Sequence, residues 1–187
     1  IWSFGDQQGR GFLMGATAGR TTLTGEGLQH CDGQSLLYAM AFPTCRVYDP
    51  AFAYEVAVIV RDGIRRMYGP DPEDCFYYIT LYNENYSQPA MPEGVEDSIV
   101  AGLYRFREAP EGEFAHRAQI LASGTMMLQA LEAQRLLAEH HSVGADVWSA
   151  PGWKQLREDA LECERWNRLH PGEAPRTPYV TEQLGGT

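Results

Sequence analysis

Apolar and polar positions along the chain fall into short alternating blocks of strand and helix. Trp2 to Gly9 reads as the tail of a helix, closed by the Gly9 and Gly11 pair. Phe12-Leu13-Met14-Gly15-Ala16 is an apolar run bounded by glycines, as in a buried strand. Leu36 to Met40 predicts a short helix that stops before Pro43, and Cys45-Arg46-Val47-Tyr48 a strand. Asp49-Pro50 then reads as a helix cap with proline at the first helical position. From Ala51 to Tyr68 the apolar residues Phe52, Val56, Ile59, Val60, Ile64 and Met67 recur near 3.6 residues, which predicts an amphipathic helix ended by Gly69-Pro70. Cys75 to Tyr82, aromatic and β-branched, is the clearest strand. Strand, helix and strand with short turns make a parallel βαβ unit.

Ser87 to Asp97, with Pro89, Pro92 and Gly94, reads as a connector, and we set the linker at residues 89–99. A second βαβ pattern follows it. Gly102 to Arg107 and Arg117 to Ser123 predict strands, and Thr125 to His141 a helix with an apolar side at 127, 128, 131, 136 and 137. Ala145 to Ser149 predicts a strand and Lys154 to Leu169 a charged helix before Pro171. A parallel sheet ordinarily has more strands than this second unit holds, covered on both faces. The second unit therefore reads as incomplete, and uncovered strand edges predict poor solubility in isolation.

Between the first strand and Leu36 lies a Gly/Thr-rich polar stretch, Thr17 to Ser35, with no helical or strand period. Loops of this length in a compact domain are functional or disordered, and the composition is not that of a disordered linker. Within it Glu26 and His30 stand four apart, with glycines on both sides of Glu26. A histidine moves protons near neutral pH, and a neighbouring carboxylate tunes it. On spacing alone, an incidental histidine in a surface loop is the favoured reading of the pair. The run Gly15 to Thr22 lacks the lysine of a phosphate-binding P-loop and the GxGxxG pattern. Tyr82-Asn83-Glu84-Asn85-Tyr86 follows the end of a central strand, where ligand crevices of open α/β sheets lie. His116, His140, His141 and His170 read as turn or helix-end residues.

Composition narrows the classes further. The 187 residues are 44% hydrophobic, enough for a core, and carry a net charge of −10. That charge, with no basic cluster longer than Arg65-Arg66, argues against nucleic acid. No run approaches the roughly 18 apolar residues of a membrane helix. The four scattered cysteines, Cys31, Cys45, Cys75 and Cys163, form no CxxC and no zinc spacing, so we expect no metal site and a cytoplasmic protein with reduced thiols. The amino terminus Ile1-Trp2-Ser3-Phe4 lacks a signal-peptide pattern and reads as a chain already inside an element.

Longer motifs change the odds on the loop. Gly5-Asp6-Gln7-Gln8, Gly19-Arg20-Thr21-Thr22-Leu23, Gly25-Glu26-Gly27-Leu28-Gln29-His30 and Tyr48-Asp49-Pro50-Ala51-Phe52 occur in one order with Asn83-Glu84-Asn85-Tyr86, Pro89-Ala90-Met91-Pro92-Glu93-Gly94 and Cys163-Glu164-Arg165-Trp166-Asn167. Together they resemble the homodimeric-type bacterial pyruvate dehydrogenase, the decarboxylating first component of its complex, a member of the transketolase superfamily. The resemblance implies an α/β fold: the end of a parallel-sheet, thiamine-diphosphate pyrimidine-binding domain (1–88), the linker, and the N-terminal part of a transketolase C-terminal-like domain (100–187). It implies thiamine diphosphate and Mg2+ as cofactors and pyruvate as substrate. The implied partners are a lipoyl-bearing dihydrolipoamide acyltransferase and a homodimer or complementary subunit.

His30 matches the family's active-site histidine and Glu26 the acidic residue before it; both are assigned as catalytic by that resemblance. Such a histidine would donate to a developing oxyanion or move protons as the acyl group passes to a lipoyl sulfur. The family's metal-binding Gly-Asp-Gly and the glutamate that activates the aminopyrimidine have no candidate here. The main cofactor-binding residues are therefore expected outside this chain, which reads as a partial chain or a subunit needing a complement. One departure stands out: the family's His-x-Asp-Gly-His-Ser is here His30-Cys31-Asp32-Gly33-Gln34-Ser35, and Gln34 does not titrate. That departure and the termini motivate one alternative, a split-subunit transketolase-like enzyme with another acyl acceptor; the shortened second unit motivates another, a non-catalytic remnant.

Overall fold

A computed structural model describes residues 1–17, 28–30 and 32–185. The order is α1 (Trp2–Asp6), β1 (Phe12–Thr17), a 3-10 turn (Leu28–His30), α2 (Ser35–Met40), β2 (Cys45–Tyr48), α3 (Ala53–Tyr68), β3 (Phe76–Tyr82), α4 (Glu96–Ala101), β4 (Tyr104–Arg107), β5 (His116–Ala122), α5 (Met126–His141), β6 (Val143–Ser149), α6 (Trp153–Leu169) and α7 (Tyr179–Leu184).

The described strands form two sheets. In the first, β3 lies between β1 and β2, all parallel, with Phe12 opposite Tyr77, Thr17 opposite Tyr82 and Tyr48 opposite Ile79. Phe76, Tyr77 and Ile79 are buried, as a central parallel strand covered on both faces requires. In the second sheet β6 lies between β5, parallel to it, and β4, antiparallel to it. The two predicted βαβ units are therefore β2-α3-β3 and β5-α5-β6. The antiparallel edge strand β4 was not specified by its pattern.

Packing runs through both sheets. Val58, Ile59 and Met67 of α3 share one buried cluster with Tyr48, Tyr77 and Ile79, and also with Ile99 of α4 and Tyr104 of β4. α5 packs Met127 and Ala130 against Val147, joined by Ala51 and Phe52 from the first unit. On the far face of the first sheet Ala39, Cys45, Val47 and Phe76 are covered by Phe4 and Met40. Hydrogen bonds cross the seam as well: Asp49 N to Pro151 O at 2.8 Å and Gly124 N to Asp49 O at 3.0 Å. Lys154, 2% exposed, donates to the carbonyls of Phe42 and Cys45 at 2.5 and 2.6 Å.

Four sequence expectations are corrected. The third helix begins at Ala53, and Asp49 is not its cap. The Glu55 carboxylate caps it, accepting Ala51 N at 2.5 Å and Phe52 N at 3.3 Å. The buried stripe of α3 contains Glu55, Val58, Ile59, Asp62 and Met67, while Ile64 is exposed, because both carboxylates find partners inside. On α5, Gln134 is buried, its amide donating to Glu108 O and Ala145 O, and Leu136 is exposed. Finally, part of the 89–99 linker is the first turn of α4, whose Ile99 lies in the core.

α4 ends on Gly102, at φ +105°, a left-handed position. A Cβ there would also meet Gly152 O at 2.6 Å, so the residue serves both a turn and a close backbone approach.

Candidate functional site

Because β1, β2 and β3 are parallel, their carboxyl ends lie on one edge of the sheet, where open α/β sheets form ligand crevices. The Gly/Thr-rich loop leaves β1 at that edge. Residues 18–27 and Cys31 lie outside the described residues, and with them Glu26. His30 ends the 3-10 turn Leu28–His30 and is exposed. The loop closes on Asp32, whose carboxylate accepts Ser35 N at 3.1 Å, Gln34 N at 3.3 Å and the Ser35 hydroxyl. Asp32 thus caps α2 and fixes where the chain re-enters the fold. Gln34 sits at that cap, exposed.

Two buried carboxylates, neither singled out from the sequence as part of a site, stand behind this edge. Asp49, 1% exposed, follows β2. Its Oδ1 accepts the Thr80 hydroxyl at 2.5 Å and the Tyr82 hydroxyl, and its Oδ2 the Ser123 hydroxyl at 2.6 Å. Ser123 in turn accepts Trp153 Nε1 at 3.0 Å. Gly124, at φ +52°, completes the pocket; a Cβ there would collide with the Tyr82 hydroxyl.

Glu55, 0% exposed, accepts the Tyr104 and Ser149 hydroxyls at 2.6 Å each, besides the two backbone amides of its cap. Burial pushes its pKa up, against the lowering effect of these hydrogen bonds. Tyr104 is pushed up by burial and by Glu55, and its hydroxyl also meets Tyr54 at 2.5 Å. Asp49 joins the carboxyl ends of β2 and β3 to the residue after β5, and Glu55 joins the first turn of α3 to the end of β6 and the start of β4.

A groove of 480 Å3 opens along the same seam, lined by Leu36, Asp49, Leu121, Ser123, Met126 and Trp153 among others. A larger cleft of 710 Å3 runs along α3 and α4 and includes Arg46, Arg65 and Arg66. These arginines are paired: Arg65 and Arg66 with Asp62 at 2.7 and 2.8 Å, Arg66 and Arg46 with Glu73 at 2.6 and 3.4 Å. Among the described residues no three His, Cys, Asp or Glu come together as a metal ion would need. His116 opens β5 and His140 and His141 end α5, all exposed, while His170 stacks on Trp166 with Nδ1 2.8 Å from that residue's carbonyl oxygen.

Residues 1–89 match the pyruvate dehydrogenase E1 component middle domain, and residues 102–187 the transketolase-like C-terminal domain. The chain is 55% identical over 185 residues to the pyruvate dehydrogenase E1 component of Pseudomonas aeruginosa, covering 99% of this chain and 21% of that protein. It is 52% identical over 183 residues to the Escherichia coli protein of the same description, covering 98% of this chain and 20% of the relative. The chain belongs to the pyruvate dehydrogenase E1 family. The family assigned from the motifs is thus borne out, and with it the α/β fold class. Solved transketolases share the fold: one from Pichia stipitis with a TM-score of 0.59 at 17% identity, and one from Campylobacter jejuni with 0.57 at 16%. They cover 81% and 82% of this chain, which matches 20% and 22% of theirs. The chain spans about a fifth of the length of the curated pyruvate dehydrogenase relatives it matches.

This family's cofactor sets a test for the site. The described residues offer neither a metal-ligating cluster nor, at the loop edge, a buried donor without a partner that a diphosphate would satisfy. They do not fit the diphosphate and metal end of the cofactor. They do present an exposed histidine, His30, at the end of a 3-10 turn.

Proposed function

We propose that this chain forms the substrate-side edge of a thiamine-diphosphate-dependent pyruvate dehydrogenase, one that decarboxylates pyruvate and reductively acetylates the lipoyl group of a dihydrolipoamide acyltransferase. The identity of 55% across nearly the whole chain to a pyruvate dehydrogenase E1 component carries this reading. The loop sequence that carries His30 follows β1, the edge strand of a parallel sheet, in keeping with this reading.

His30 and Glu26 are the residues we assign to proton handling, His30 as the group that exchanges the proton and Glu26 as its neighbour in the loop. The exposed imidazole at the end of a 3-10 turn suits a group that meets substrate and partner from the solvent side. When bound, the cofactor supplies the electron sink that 2-oxo acid decarboxylation needs. We assign its diphosphate and Mg2+ to residues other than those described. We further propose residues 1–88 as the end of the pyrimidine-binding domain and 100–187 as the start of the C-terminal-like domain, in a homodimeric cytoplasmic enzyme.

The test is product analysis of the holoenzyme with methyl-labelled pyruvate and a lipoylated domain of the acyltransferase. Labelled acetyl on a lipoyl sulfur, with release of carbon dioxide, is the expected result. A carbon–carbon coupled product without acetyl-lipoyl would overturn the reading in favour of another acyl acceptor.

A further inference from the structure

The peptide Asn83-Glu84-Asn85 belongs neither to the catalytic assignments nor to the core. It begins where β3, the central strand of the first sheet, ends at Tyr82. Tyr82 is paired with Thr17, the last residue of β1, so the peptide leaves the sheet beside the start of the His30 loop. It is held at both ends by its flanking tyrosines. Tyr82 donates its hydroxyl to Asp49, and Tyr86 donates its hydroxyl to Ala51 O. Gln88, two residues on, accepts Ala53 N at 2.9 Å. Residues 83–90 have no helix or strand, so these tethers fix the segment's course.

Between the tethers, Asn83, Glu84 and Asn85 are all exposed. None makes a side-chain hydrogen bond to another described residue. Asparagines in irregular segments commonly bond to the backbone two residues on, and these two do not. Two amides, each with two donors and an acceptor oxygen, and one carboxylate are therefore exposed on a pinned segment with no side-chain partner among the described residues.

Charge selects the ligand for such a wall. A 2-oxo acid brings a carboxylate, which Glu84 repels. The lipoyl-lysine arm is uncharged and contains an amide, whose N–H and C=O match the acceptor and donor of an asparagine side chain. We propose that Asn83, Glu84 and Asn85 form the acceptor-side wall of the site and recognise the amide of the lipoyl-lysine arm, with Glu84 disfavouring anionic acceptors. This rests on the function proposed above and adds to it the residues that select the acceptor. The three are specificity residues, distinct from the proton-handling pair.

The experiment compares two acceptors in the holoenzyme. Pyruvate turnover is measured with ferricyanide, which bypasses the lipoyl arm, and with lipoamide; free lipoate serves as an anionic analogue. In the double variant Asn83→Ala/Asn85→Ala, the ratio of lipoamide-supported to ferricyanide-supported kcat/KM falls about tenfold, the loss of roughly one well-formed pair of hydrogen bonds. In Glu84→Gln, the preference for lipoamide over lipoate narrows several-fold. Unchanged ratios in both variants would make the segment an ordinary solvated strand exit and overturn the proposal. A rise confined to the KM for pyruvate would overturn it too, by placing the wall on the 2-oxo acid. A wild-type enzyme that consumes pyruvate with ferricyanide but ignores lipoamide would instead remove the proposed function, and this wall with it. Matching melting curves for the variants confirm that the fold is intact.

Discussion

Asp62, on the buried side of α3, takes Arg65, Arg66 and the Tyr77 hydroxyl on one carboxylate, at 2.7, 2.8 and 2.9 Å. Burial alone would lift its pKa, but the hydrogen bonds from the two arginines and the tyrosine outweigh burial and hold it below the usual 3.8. A depressed folded value means stability that is complete above the unfolded pKa and lost as pH falls through the folded one. Asp62→Asn should therefore cost about 1–3 kcal/mol near neutral pH. The gap to wild type should close progressively as pH drops below 3.8. Denaturant melts across that range check it; a gap independent of pH would show that the carboxylate charge contributes nothing.

Residues of this kind are the least legible in a sequence. Asp49 followed by Pro50 and an amphipathic run has the form of a helix cap, yet its partners Thr80 and Ser123 lie 31 and 74 positions away. Glu55 was equally hidden, because a glutamate three residues into a helix is unremarkable until Ser149 and Tyr104 fold onto it. Asp32 looked like a motif letter, and its work is the cap of α2.

At the scale of elements the reading succeeds where periodicity is long. The 16-residue helices α3 and α5 and the seven-residue strand β3 each carry enough repeats or β-branched and aromatic residues to declare themselves. α4 and α7, six residues each, complete fewer than two turns, and a proline-rich approach disguised the first as linker. α4 is nonetheless structural, since Ile99 is buried with Tyr48, Tyr77 and Tyr104. Ile99→Ala should lower stability by about 2–5 kcal/mol through lost burial and the cavity left behind. A loss below about 0.5 kcal/mol, the range of an ordinary surface change, would return the segment to a linker.

Over the whole molecule, the two βαβ units share a core and a hydrogen-bonded seam, so the carboxyl edges of both sheets face one region. Strand order and hydrophobic pattern explain that scaffold, but they do not name its chemistry. The family was legible through the loop motifs, and the relatives establish it. Spacing alone favoured an incidental reading of Glu26 and His30. The structure adds that His30 ends an exposed 3-10 turn, and that Asp32 holds the start of α2 just after it.

That placement is tested most directly by reductive acetylation of a lipoylated domain by the holoenzyme carrying His30→Ala. A proton-handling histidine predicts a fall in rate of about 10²–10⁴-fold with the fold preserved. Acetylation at the wild-type rate would contradict the account.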